Sequence, residues 1–359
     1  MNSSASAAFW KGKRVFLTYP NSFLGAWTAL SLQHLGAQVF GFGESLESSP
    51  NLFDLTNLGQ TIAMTYGDLR NEESLRQALQ FAQADVVLHL GETGFLKDGE
   101  QRPLEIISKS IMGTAQVMEL LREAASVRSV VVLGTDKAYV RASDNAAMSE
   151  LSAVGPSGIF ATSKLCSEFI ALSYRDSFFS PEKYNKHKVA IATARISSAI
   201  GGGDFSSEGL IFQAVQSFLG KKTFEVRNPQ SVRPWIHVLD QVSGILSVAQ
   251  GLFEKGPKLS SATYNLGASE YESVGEVMKE FSEAWGKTWS SVSVPDSAKS
   301  LSIHGQLNSE LALTELGWKP QWDLSRALVE TAKWYQGYYA GHSSVEELTG
   351  VLRAYFKFD

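Results

Sequence analysis

The chain has 359 residues, 44% of them apolar, 19% charged and 11% aromatic, with a formal net charge of −5. A single cysteine, Cys166, excludes a disulfide scaffold, the apolar content excludes a disordered chain, and the acidic balance argues against a general nucleic-acid binder. Aliphatic runs such as residues 130–133 fall far short of the ~20 positions a membrane span needs. The opening MNSSASAAFWKGK carries no basic segment ahead of a long apolar stretch, so a cytoplasmic, reducing setting is expected.

Residues 14–18 (RVFLT) read as a strand, residues 19–22 as a turn, and FLGAWTALSLQHLG as a helix ending at Gly36. AQVFGFG is the next strand, which completes a βαβ unit and implies parallel pairing. The theme repeats. Residues 64–68 precede the helix NEESLRQALQFA, with Asn71 as its N-cap. Residues 85–90 (DVVLHL) form a buried strand, 106–125 a long helix, 127–135 a strand, 163–174 a helix and 189–195 a strand. Strands alternating with helices predict a doubly wound parallel α/β sheet. Beyond Arg195 the pattern is irregular, with a loop at Gly201, Gly202 and Gly203. The division expected is a sheet domain from 1–195 plus 236–268, and a smaller C-terminal substrate lobe from 196–235 plus 269–359. Trp318, Trp322 and Trp334 read as core, and Leu328, Ala332, Tyr335 and Tyr339 as one packing face of a helix.

A dinucleotide fold places a glycine-rich turn after its first strand, so that a pyrophosphate can approach backbone amides at a helix N-terminus. Here the turn is Thr18-Tyr-Pro-Asn-Ser-Phe-Leu-Gly25. Of three glycines expected at three-residue spacing only Gly25 remains. Tyr19 and Ser22 carry side chains where a phosphate needs space, and Pro20 lacks an amide donor. Six scattered histidines and one cysteine offer no metal-ligand spacing. His89 closes an apolar strand and reads as a hydrogen-bonded core residue.

The segments FWKGKRVFLT, SPNLFDLTNLG, YGDLRNEESLRQAL, SIMGT, GTDKAY, TSKLCSEF, ATARISSAIGGGDF, VRNPQSVRPWIHVLD and LGWKPQWDL run in order along nearly the whole chain. In these the sequence resembles the extended short-chain dehydrogenase/reductases, the NAD-dependent epimerase/dehydratase family, and within it the CDP-glucose 4,6-dehydratase branch. The resemblance implies a Rossmann-type sheet, a CDP-linked sugar as substrate, NAD as cofactor and a homodimer packed through helices 106–125 and 163–174. It places Thr135, Asp136 and Lys137 against the sugar and makes Lys164 catalytic. It gives substrate contacts to Arg195, Gly202, Arg227, Asn228, Arg233 and His237, with Arg233 on the diphosphate, since a guanidinium fork matches phosphate geometry. Gly25 and Asp68 take the cofactor positions.

The sequence departs from the pattern on the redox side. The family's catalytic tyrosine, four residues before a lysine, falls at Phe160 ahead of Lys164. A phenyl ring cannot take a proton from a sugar hydroxyl, and loss of a general base costs roughly 10²–10⁴ in rate. Ser110 and Ser198 stand where the family has asparagine, and His89-Leu-Gly-Glu-Thr93 where it has HxAAQ. The expected cofactor state is therefore no NAD, or NAD bound unconventionally. The function expected is acid–base chemistry on a CDP-linked, 4-keto-6-deoxy hexose without net redox, by epimerisation or elimination. The alternatives are a non-catalytic CDP-sugar-binding protein, and an NAD-dependent dehydratase with a substitute base such as Tyr139.

Overall fold

The computed structural model describes residues 6–45, 50–91, 101–140, 147–220, 224, 226, 228–259, 262–268, 270–288 and 306–357. Strands β1 (Arg14–Thr18), β2 (Gln38–Gly43), β3 (Ala63–Tyr66), β4 (Val86–His89), β5 (Ser129–Thr135) and β6 (Ala190–Ile196) follow the sequence reading closely. Two short strands, β7 (Ala199–Ile200) and β9 (Ile236–His237), pair in parallel; β8 (Val232–Pro234) pairs antiparallel with β11 (Tyr271–Ser273). β10 (Thr263–Leu266) joins the large sheet, whose order is β10-β6-β5-β4-β1-β2-β3, every pair parallel. This is the doubly wound order, with its switch point between β1 and β4.

Alternation along the strands sorts the core onto two faces. Val15, Leu17, Val86, Leu88, Val131 and Leu133 point one way, beneath the Phe23–His34 and Val238–Lys255 helices. Phe16, Phe42, Val87, Val130 and Val132 point the other, beneath Glu72–Ala82 and Gly113–Leu121. Burial on both faces is why these strands read as continuous apolar runs. Asn71 caps its helix as expected, accepting from Ser74 N at 3.1 Å. The helix expected over 106–125 is observed as Pro103–Ile107, a π turn at Ser108–Met112, and Gly113–Leu121. No helix among the described residues is long and apolar enough to cross a membrane.

Trp318, Trp322 and Trp334 are buried, and Tyr335 on the Leu324–Tyr339 helix is completely so. The three-glycine loop serves this packing. A Cβ on Gly202 would lie 2.2 Å from the Trp334 ring, and the Gly202 carbonyl accepts from Trp27 Nε1 at 3.0 Å.

The C-terminal helix Ser344–Phe356 is fastened to the core through Asp240, on the Val238–Lys255 helix. Tyr355 OH and Gln321 N each donate to Asp240 Oδ1 at 2.6 Å, while Oδ2 is buried without a hydrogen bond. Burial raises this carboxyl from 3.8 to about 6. A raised folded-state pKa contributes stability that is present below the unfolded value and lost as pH rises through the folded one. An Asp240→Asn variant, neutral throughout, should therefore gain on the wild type by about 2 kcal/mol between pH 4 and pH 8. Urea denaturation at both pH values measures the difference; parallel pH profiles for the two proteins would contradict it.

Candidate active site

β5 ends at the switch-side edge of the sheet and runs straight into a short 3-10 turn, Asp136–Ala138. Thr135 holds that turn: its hydroxyl donates to Asp136 Oδ1 and accepts from Lys137 N, both at 3.3 Å. Asp136 is half-buried, and burial raises its carboxyl above the ordinary value against the opposing pull of Lys137 and Thr135. Lys137 Nζ stands 6.0 Å from the centre of the Phe160 ring, at the limit of a cation–π contact. Phe160 opens the Ile159–Phe178 helix, so the phenyl ring sits where this helix faces the β5 turn. The structure thus brings together Asp136, Lys137 and Phe160.

Lys164, one turn further along, is buried and donates Nζ to the Leu90 carbonyl at 2.8 Å. Beside it His89 is held on both nitrogens, by Thr18 Oγ1 at 3.1 Å and Thr114 Oγ1 at 2.9 Å. Thr114 donates its own hydrogen to the Ser110 carbonyl, so it accepts from His89 Nε2, and Nδ1 accepts from Thr18. Burial, with Lys164 adding to it, pushes this imidazole down to about 3. His89 is a neutral core residue, as its position at the end of an apolar strand suggests. Tyr139 is equally committed: its hydroxyl donates to Asn265 Oδ1 at 2.7 Å, and its ring lies 4.6 Å beneath the Arg195 guanidinium.

Several expected substrate contacts are engaged by the protein itself. Arg195, expected on the substrate, forms a buried two-point ion pair with Glu168 from the Ile159–Phe178 helix. Gly202 makes room for Trp334, as described above. His237 is buried, caps the Val238–Lys255 helix by accepting from Leu239 N at 3.2 Å, and packs 4.6 Å from Trp322. In all three, packing between residues distant in sequence, which no local pattern reveals, encloses the side chain or backbone position that the resemblance gave to the substrate. Arg227 lies outside the described residues. Asn228 is half-buried and closes a turn, its carbonyl accepting from Ser231 N at 3.2 Å.

Arg233 differs. It lies on β8 opposite Glu272 of β11, its side chain is exposed, and it makes no hydrogen bond or ion pair with another described residue. Surrounding protein still desolvates it enough to lower its pKa. One residue along β11, Tyr271 is raised to about 12 by burial, with the charge of Asp136 adding to the shift. The charge of Asp136 thus reaches Tyr271 on the β8–β11 ribbon. Tyr271 escaped the sequence reading, because only strand pairing brings it there.

The turn after β1 is filled by its own side chains. Tyr19 adopts φ +52°, the left-handed conformation a glycine would take freely. Its side chain is buried, as are Asn21 and Ser22. Ser22 caps the Phe23–His34 helix, accepting from Gly25 N at 3.1 Å and donating to the Tyr19 carbonyl at 2.9 Å. Gly25 is required for packing, since a Cβ there would lie 2.0 Å from the Tyr19 carbonyl. Asp68 is paired with Arg70, whose hydrogen bond lowers its pKa. A hydroxyl occupies the helix N-terminus where a phosphate would sit, so these residues do not fit a conventionally bound pyrophosphate.

A seven-stranded parallel sheet in this doubly wound order, with a polar turn at the end of β5, defines a Rossmann-type α/β protein. The chain belongs to the NAD dependent epimerase/dehydratase family, whose model matches residues 20–267. It is 31% identical over 335 residues to the CDP-glucose 4,6-dehydratase of Salmonella typhimurium, which covers 93% of each chain. In fold it resembles the UDP-glucose 4-epimerase of Thermotoga maritima solved with UDP-glucose, at a TM-score of 0.76 and 16% identity over 90% of this chain and 99% of that one. The dTDP-glucose 4,6-dehydratase of Bacillus anthracis, solved with NAD, superposes at 0.72 with 21% identity, covering 92% and 99%. NAD is the cofactor expected from the family.

Proposed function

We propose that the protein binds a CDP-linked hexose, a 4-keto-6-deoxy sugar derived from CDP-glucose, and moves protons on it without net redox. The observation that carries this reading is the adjacency of Asp136 and Lys137 in the β5 turn, with a phenyl ring 6.0 Å from the ammonium in place of a hydroxyl. Hydrogens on C3 and C5 of such a sugar are acidic because the C4 carbonyl stabilises the enolate. Of the two side chains, one takes the proton and the other supports the enolate oxygen or returns a proton. Return to the opposite face inverts the carbon; departure of the C2 hydroxyl from a C3 enolate gives an enone and water. The lobe formed by residues 196–235 and 269–359 supplies the nucleotide contacts, and the two helices carrying the exposed Leu104, Met112 and Phe169 pack a homodimer.

The test is proton–deuterium exchange into CDP-4-keto-6-deoxyglucose in heavy water, followed by NMR. Deuterium at C3 or C5 is expected; saturable CDP binding without any incorporation would leave a non-catalytic binding protein. Arg233 is the residue we assign to the diphosphate, since among the described residues it has no ion-pair partner. Arg233→Ala is expected to weaken CDP binding by roughly 10–100-fold, the worth of a charge-assisted hydrogen bond. Calorimetric titration with CDP reads this, and an unchanged affinity removes Arg233 from the diphosphate.

A further inference from the structure

In a doubly wound sheet the adenosine half of a dinucleotide lies over the ends of β2 and β3, and an acidic residue about 20 positions past the glycine turn takes its ribose. Glu44 holds that place, directly after β2. Its carboxylate is already taken. Lys109 Nζ lies 2.6 Å from Glu44 Oε2 and 2.8 Å from Glu105 Oε1, with its side chain 8% exposed. The π turn at Ser108–Met112 delivers it: an extra residue in the helix rotates Lys109 and Ser110 inward, and both are buried. A second tie runs from the turn after β3, where Arg70, paired with Asp68, donates Nη1 to Ser108 Oγ at 3.1 Å. A third fastens the glycine-position turn itself, Asn21 Nδ2 donating to the Glu44 carbonyl at 2.6 Å. These ties cross the space between the strand ends and the helix.

We infer that this ion strap, centred on Lys109, closes the dinucleotide groove, so that the chain binds no adenine dinucleotide even where glycines are restored to its turn. The inference deepens the acid–base reading and rests on it for what the protein does instead. A buried ammonium is tolerated there because carboxylates flank it on two sides. Glu105, lowered in pKa chiefly by its hydrogen bond from Lys109, stays charged to do so.

The full chain and its Tyr19→Gly/Ser22→Gly variant are titrated calorimetrically with NAD and with NADP. No saturation up to about 1 mM is expected for either protein. Half-saturation below that concentration in either one, or dinucleotide released from the purified wild type on denaturation, overturns the inference. Lys109→Met leaves Glu44 and Glu105 without their cation and is expected to lower Tm by about 2 °C or more; an unchanged Tm overturns the strap. Titration of the same samples with CDP keeps the two readings apart, since failure to bind CDP removes the proposed function and leaves the closed groove standing.

Discussion

Lys137→Ala is expected to slow hydrogen exchange into the keto-sugar by roughly 10²–10⁴-fold, the usual worth of a positioned acid–base group. Lys137 carries no hydrogen bond from its ammonium to another described residue, and its contact with Phe160 is a distant one. Its removal should therefore leave the fold and CDP affinity nearly unchanged, and the loss should fall on the rate. Asp136 keeps its hydrogen bond from Thr135 in the variant, while loss of the Lys137 charge removes the strongest pull against burial and raises its pKa further. NMR exchange rates at saturating sugar nucleotide, with melting curves as control, separate the two effects. A variant that exchanges as fast as the wild type would move the chemistry away from the β5 turn.

Glu168→Ala should cost about 3–5 kcal/mol of stability, because it strands a buried guanidinium. The Arg195 and Glu168 side chains are 5% and 1% exposed, and Arg195 Nη1 already makes no hydrogen bond to another described residue. The remaining support is the Tyr139 ring, worth much less than a two-point ion pair. A double variant, Glu168→Leu with Arg195→Met, is expected to recover most of the loss, since it removes both charges together. Urea denaturation of the single and double variants provides the comparison. Equal destabilisation of both would mean that the pair contributes through shape rather than charge.

The sheet was legible because buried parallel strands advertise themselves: residues 14–18 match β1, and the other strand expectations differ from the observed ones by a few residues at most. The helix over 106–125 was legible as a helix and not as an interrupted one, since a π turn alters backbone bonding without changing the apolar spacing. Within the site, Asp136, Lys137 and Phe160 were singled out through the family resemblance, and the structure sets Lys137 6.0 Å from the Phe160 ring. The enclosure of Arg195 and His237 was not legible. Their partners, Glu168 and Trp322, are 27 and 85 positions away in sequence, and only packing brings them together. Glu44 was within reach, because it follows a strand at the spacing of a ribose-binding acid, but Lys109 lies 65 positions from it.

The fastening of Asp240 by Tyr355 spans 115 positions, which gives it a consequence in the order of synthesis. When the Val238–Lys255 helix leaves the ribosome, the tyrosine that will donate to its carboxylate has yet to be made. Until then the charge is best left in water, and the helix has reason to delay full docking on the sheet. At about 5–20 residues per second, that interval lasts several seconds. Nascent chains would spend it with the apolar underside of this helix incompletely covered, a window in which a chaperone has something to hold.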